Sequence, residues 1–130
     1  MTSRSAARTI TTLILLSCFS GVVFANDAGT GGDAGRSTST AAWLPATNAT
    51  YYGNLTASSD TNDYYGINMS NDTGISVGLT SPSNADFDLY LYDSSGNQID
   101  SSLSISSYDS VSANGSNVGG TTVYFKVDQW

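Results

Sequence analysis

The sequence predicts an all-β protein, an antiparallel β-sandwich. Three observations predict it. From Ala41 to Val127 apolar residues recur at every second position in run after run. Clusters of Gly, Asn, Asp, Ser and Pro interrupt the runs at short intervals. Past the N-terminal stretch no segment carries a 3.6-residue hydrophobic period.

The runs follow in order. Leu55 comes after a Tyr51-Tyr52-Gly53 start. Tyr65, Ile67 and Met69 alternate with Tyr64, Gly66 and Asn68. Ile75, Val77 and Leu79 alternate with Ser76, Gly78 and Thr80. Phe87, Leu89 and Leu91 alternate with Asp88, Tyr90 and Tyr92. Leu103 and Ile105 alternate with serines. Val123, Phe125 and Val127 alternate with Tyr124, Lys126 and Asp128. Each run has one apolar face and one polar or aromatic face, as half-buried antiparallel strands require. Turn residues stand between them at Asn71-Asp72-Thr73-Gly74, Ser81-Pro82-Ser83-Asn84, Asn114-Gly115 and Gly119-Gly120. Ser94-Ser95-Gly96-Asn97 fits a four-residue hairpin loop with Gly in a left-handed position. About six to eight short strands at this spacing imply a sandwich of two sheets over residues 41–130.

Residues 1–25 read as an export signal. Arg4 and Arg8 supply the positive start. Ile10, Leu13, Ile14, Leu15, Leu16, Val22, Val23 and Phe24 supply the apolar stretch. Val23 and Ala25 occupy the −3 and −1 positions of a small-residue cleavage site before Asn26. The stretch is short and broken by Ser17, Ser20 and Gly21, which suits a membrane anchor poorly. Cys18, the single cysteine, lies inside it, so the processed chain has no disulfide. A lipid anchor on Cys18, from the Leu15-Leu16-Ser17-Cys18 run, is the lesser alternative. The expected location is secreted, extracellular or cell-surface, with no stable membrane insertion after processing. Residues 26–40 are small and polar with four glycines, which predicts a flexible linker or a metal-tethered strap.

Charge narrows the function. Processing leaves Arg36 and Lys126 against eleven Asp and no Glu, a net charge of −9. Such a surface repels nucleic acid and suits divalent cations, high salt or a basic partner. Histidine is absent. No His-activated nucleophile and no His-ligated zinc is available, so any metal is held by oxygen, which favours calcium. No GxSxG elbow is present, and the Asp pairs sit in turns. We therefore expect no catalytic residues. Five sequons, at Asn48, Asn54, Asn68, Asn71 and Asn114, could be glycosylated in an exporting organism with the right transferase, and chance supplies several in so Asn-, Ser- and Thr-rich a chain.

Several stretches together resemble the bacterial and archaeal pre-peptidase C-terminal (PPC) domain. They are Tyr52-Gly53-Asn54-Leu55, Asp60-Thr61-Asn62-Asp63-Tyr64-Tyr65, Ile75 to Leu79, the run from Asp86 to Asn97, and Thr122 to Val127. The resemblance covers about Ser37 to Trp130. It implies a jelly-roll-like sandwich and a non-catalytic appendage of secreted peptidases, acting in substrate binding, positioning or secretion. The expected partner is an extracellular protein or polysaccharide surface, with a covalently linked peptidase a compatible neighbour. In that family one more strand follows the one matching 122–127. The chain is therefore expected to be a fragment of a longer protein or to leave an open sheet edge for a strand from a partner or another copy. A self-associating surface or filament subunit using that edge, and a carbohydrate-binding module, are the alternatives.

The related collagen-binding domain of clostridial collagenases binds calcium with acids from an N-terminal strap and a loop. The matching positions are Asp27 and Asp33 in the strap with Asp60 and Asp63 in the loop. Local turn capping is the competing role for Asp60 and Asp63. Asn84, Asp86 and Asp88 form a weaker alternative, on the expectation that alternation puts them on one face; bonds to loop amides compete there. Tyr90 and Tyr92 share a strand face and Tyr124 has the same parity. Together they are the candidate ligand platform, unless a loop covers them.

Overall fold

The computed structural model describes residues 27–55, 60–69, 74–115, 118 and 121–130, together with the backbone of residues 9–16. Among the described residues nine strands run in chain order: β1 (Thr9–Leu16), β2 (Ala42–Leu44), β3 (Ala49–Gly53), β4 (Asn62–Asn68), β5 (Gly74–Thr80), β6 (Phe87–Tyr92), β7 (Gln98–Ser102), β8 (Tyr108–Ala113) and β9 (Thr122–Gln129). They form an all-β sandwich of two sheets. One has the order β3-β1-β5-β8, the other β2-β4-β9-β6-β7.

Alternation builds the interior. Tyr65, Ile67, Phe87, Leu89, Leu91, Val123, Phe125 and Val127 of the five-stranded sheet meet Ile75, Val77, Leu79 and Val111 of the other, all essentially fully buried. Tyr65 and Phe125 are register partners, and their rings stack with centroids 5.0 Å apart. β4, β9 and β6 are antiparallel neighbours, so their even-numbered positions share the opposite, outer face.

Two features of the turns follow from local chemistry. The β6–β7 hairpin closes as predicted: the Asp93 amide donates to the Asn97 carbonyl at 2.9 Å, and Gly96 has φ +84°. The Asp93 carboxylate accepts from the Ser95 and Asn97 amides, an Asx arrangement that holds the loop. The Asn71 turn and Gly119-Gly120 lie outside the described residues, Gly74 apart, as do Val23 and Ala25.

The structure corrects three expectations. Leu103 and Ile105 are not a strand; they lie in the loop between β7 and β8, and Ile105 is 94% exposed. The inward partners are instead Asp109, Val111 and Ala113 of β8, whose two small apolar side chains give a weak alternating signal. Asn84 and Asp86 do not extend the alternation of Asp88. A turn, with the Ala85 amide donating to the Pro82 carbonyl, precedes β6 at Phe87. The segment 27–40 is not a loose linker. It is docked through 3₁₀ turns at Asp27–Gly29 and Thr38–Thr40, with Asp27 and Ala34 buried. The Tyr64 amide donates to the Gly35 carbonyl, joining the strap to β4.

Candidate functional site

Asp63 has the parity of the core. On β4 it shares the inner face with Tyr65 and Ile67, and it is fully buried. An ionised carboxylate there is costly unless something compensates it. The Tyr65 hydroxyl donates to Asp63 Oδ2 at 3.2 Å, while Asp63 Oδ1 has no hydrogen-bond donor among the described residues.

The strap brings the second carboxylate to the same place. Asp27, also fully buried, accepts the Asn54 amide on Oδ1 at 2.8 Å and the Ala34 amide on Oδ2 at 3.1 Å. These bonds close the strap onto the end of β3. The approach demands glycine at position 53: a Cβ there would lie 2.8 Å from Asp27 Oδ1 and 3.1 Å from the Tyr65 hydroxyl. Asp33 completes the group from the exposed side, and oxygens of Asp27, Asp33 and Asp63 lie within 4.8 Å of one another. Asp60 stands beside them and also has a buried Oδ1 without a partner.

Electrostatics follow from the crowding. Burial pushes Asp63 up to about 9, and the charges of Asp27, Asp60 and Asp33 add to the shift. Burial and the Asp33 carboxylate raise Asp60 to about 6. Asp27 is raised by burial against the opposing effect of its two amide donors, and the Tyr65 hydroxyl is raised by burial and by Asp63. Without a cation the cluster keeps a proton near neutral pH. An ion would replace that proton. The donor set is all oxygen, two of the oxygens lack a hydrogen-bond partner among the described residues, and Asp33 is exposed. These residues fit a hard cation taking roughly six to eight oxygens, with carbonyls and water completing the shell.

Asp86 and Asp88 do not join this group. Burial raises Asp88, opposed by a bond from the Trp130 side chain, with Asp86 and Asp109 nearby.

The second feature is the outer face of the five-stranded sheet. Three strands present it in register: Gly66, Tyr124 and Tyr92 in one row, Tyr64, Lys126 and Tyr90 in the next. Tyr90 and Tyr92 stack with centroids 6.5 Å apart, and Tyr64 stacks on Tyr92 at 6.1 Å. Lys126 Nζ lies 4.2 Å from the centre of the Tyr90 ring and pairs with Asp128 at 2.8 Å. Tyr90, Tyr92 and Tyr124 therefore share one partly exposed surface. Trp43, half exposed on β2, extends it and meets Tyr124 edge-on at 5.8 Å.

Sequence reading did not single out Trp43 and Lys126 as part of this surface. β2 has only three residues, too few for alternation to register. Its signal was instead Gly66, the one residue without a side chain among the outer positions of β4 beside Tyr124, which leaves room for a ring. Tyr51 and Tyr52 on β3 and Tyr108 on β8 belong to the other sheet.

No protein-family model and no curated protein matches this chain. Fold and sites define it as an all-β two-sheet protein with an acidic cluster where the strap meets β3 and β4 and an aromatic outer face. Among the described residues no helix is long and apolar enough to cross a membrane.

Proposed function

We propose that this protein is a non-catalytic binding domain of an exported protein, PPC-like, which docks on an extracellular protein or polysaccharide surface. The observation that carries the reading is the contiguous aromatic face of Trp43, Tyr124, Tyr92, Tyr64 and Tyr90 on one side of a sheet. Rings fixed on strands offer large contact area with little entropy left to lose, and the tyrosines add hydroxyls at their rims. The absence of histidine, which leaves Asp and Lys126 as the available bases, supports a binding role over catalysis. The resemblance to peptidase appendages supports placing it beside a secreted peptidase.

Calcium is the proposed cofactor, held by Asp27, Asp33 and Asp63 with Asp60 beside them. Its part is structural: it would tie the strap to the ends of β3 and β4 and neutralise a buried negative cluster. The test is retention of the exported chain on insoluble polysaccharides (cellulose, chitin) and on fibrous protein. Binding to at least one, weakened at least tenfold in Trp43→Ala and Tyr124→Ala, is expected. No retention on any polymer, or retention unchanged in the double variant, overturns it.

A further inference from the structure

Thr9–Leu16, which includes the first part of the apolar stretch that reads as an export signal, forms the second strand of the four-stranded sheet. β1 runs parallel to both neighbours. Thr12 to Leu16 pair with Ala49 to Gly53 of β3, and Thr9 to Leu15 pair with Gly74 to Thr80 of β5. Positions 10, 12 and 14 stand opposite Ile75, Val77 and Leu79, three residues of the core. One segment cannot be both discarded on export and kept in mid-sheet.

Removing β1 has a definite consequence. β5 keeps only β8 as a neighbour, and β3 loses its single partner in that sheet. The Asn54 amide at the end of β3 donates to the Asp27 carboxylate, a bond that would hold β3 near its place. A slot one strand wide would be left, with unpaired backbone on both sides, beside Ile75, Val77 and Leu79 of β5. Such a slot is costly to leave open.

We propose that the processed protein closes this slot with a strand donated by a separate exported polypeptide. The donor is an extended segment of about seven residues, apolar over most of its length, as Ile10 and Leu13 to Leu16 are in the strand it replaces. A second copy of the processed chain is a poor donor. Among the described residues of 27–130 the alternating runs other than Leu103 and Ile105 are already paired in the two sheets, and the strap has no apolar alternation. Leu103 and Ile105 lie in a loop tied at both ends to β7 and β8 and too short to fill a slot of about seven residues. The inference rests on the export reading of residues 1–25 and not on what the aromatic face binds, since that face belongs to the other sheet.

The experiment uses the chain recovered after export. N-terminal sequencing establishes whether residues 1–25 are gone. A peptide of sequence 9–16, flanked by lysines for solubility, is then added to the processed protein. A one-to-one complex is expected, with slower deuterium exchange in β3 and β5 and a melting temperature raised by roughly 10 °C at a hundredfold excess over Kd. The same peptide with aspartate at the Ile10 and Ile14 positions should not bind. Three results overturn the proposal: an exported chain that retains residues 9–16, no response to the peptide, or β3 and β5 amides already protected in the processed monomer. The first of these removes the export premise itself. The other two leave that premise standing and remove only the donated strand.

Discussion

The hydroxyl of Tyr65 donates a hydrogen bond to Oδ2 of Asp63, and both side chains point from β4 into the inner face of the sandwich. A carboxylate thus stands where a hydrophobic residue would continue the core, next to Asp27, with its other oxygen unpartnered among the described residues.

The first prediction concerns pH. Asp63 is raised from 3.8 to about 9 by burial and by its acidic neighbours. Between those values the folded protein holds a proton that the unfolded chain has lost. The stabilisation is complete below the ordinary carboxylate range and is lost as pH rises toward about 9. Asp60, raised to about 6, adds to the loss over the lower part of the range. The metal-free protein should therefore melt at progressively lower temperature from about pH 5 to about pH 9, and calcium should flatten or reverse the trend. Melting curves in chelator and in calcium across that range check it. A flat profile in chelator contradicts it.

Asp63→Asn separates charge from shape. The amide mimics the protonated acid, so the metal-free variant should melt at or above the wild-type temperature at neutral pH. Saturating calcium at a hundredfold excess over Kd is worth about 2.7 kcal/mol to a protein that binds it. That increment should appear in wild type and vanish in the variant. Proton release measured calorimetrically in two buffers should vanish with it.

The seat of Trp43 gives a third prediction. A Cβ on residue 66 would lie 3.0 Å from Cε3 and Cζ3 of the indole. Gly66→Ala should displace the ring while the strand persists. In a Trp130→Phe background the emission of Trp43 should shift, and retention on the bound polymer should fall by about tenfold, equivalent to about 1.4 kcal/mol. Unfolding in urea should move by less than about 1 kcal/mol.

Packing gives a fourth. Leu89 is fully buried in β6, whereas Ile105 is 94% exposed in a loop, though both belong to alternating runs. Leu89→Ala should cost about 2–5 kcal/mol. Ile105→Ala should change stability by no more than about 0.5 kcal/mol. Comparable costs in urea titrations would place residues 103–105 in the sheet.

The strand runs that the sequence by itself determined are those with bulky residues at every second position. Tyr65 to Met69, Ile75 to Leu79, Phe87 to Leu91 and Val123 to Val127 dictated their own faces, because a one-residue slip would expose each apolar set. The parity of Tyr90, Tyr92 and Tyr124 was legible for the same reason. So was the hairpin at Ser94 to Asn97, where backbone preference and the Asp93 side chain act within a few residues. Tertiary structure alone decided what depends on residues far apart in the chain. Asp27 and Asp63 meet only because the strap folds back over the end of β3, and Trp43 joins Tyr124 only because Gly66 leaves space between their strands. The alternation of Leu103 and Ile105 misled because period two states which residues share a side, not whether another sheet lies against that side.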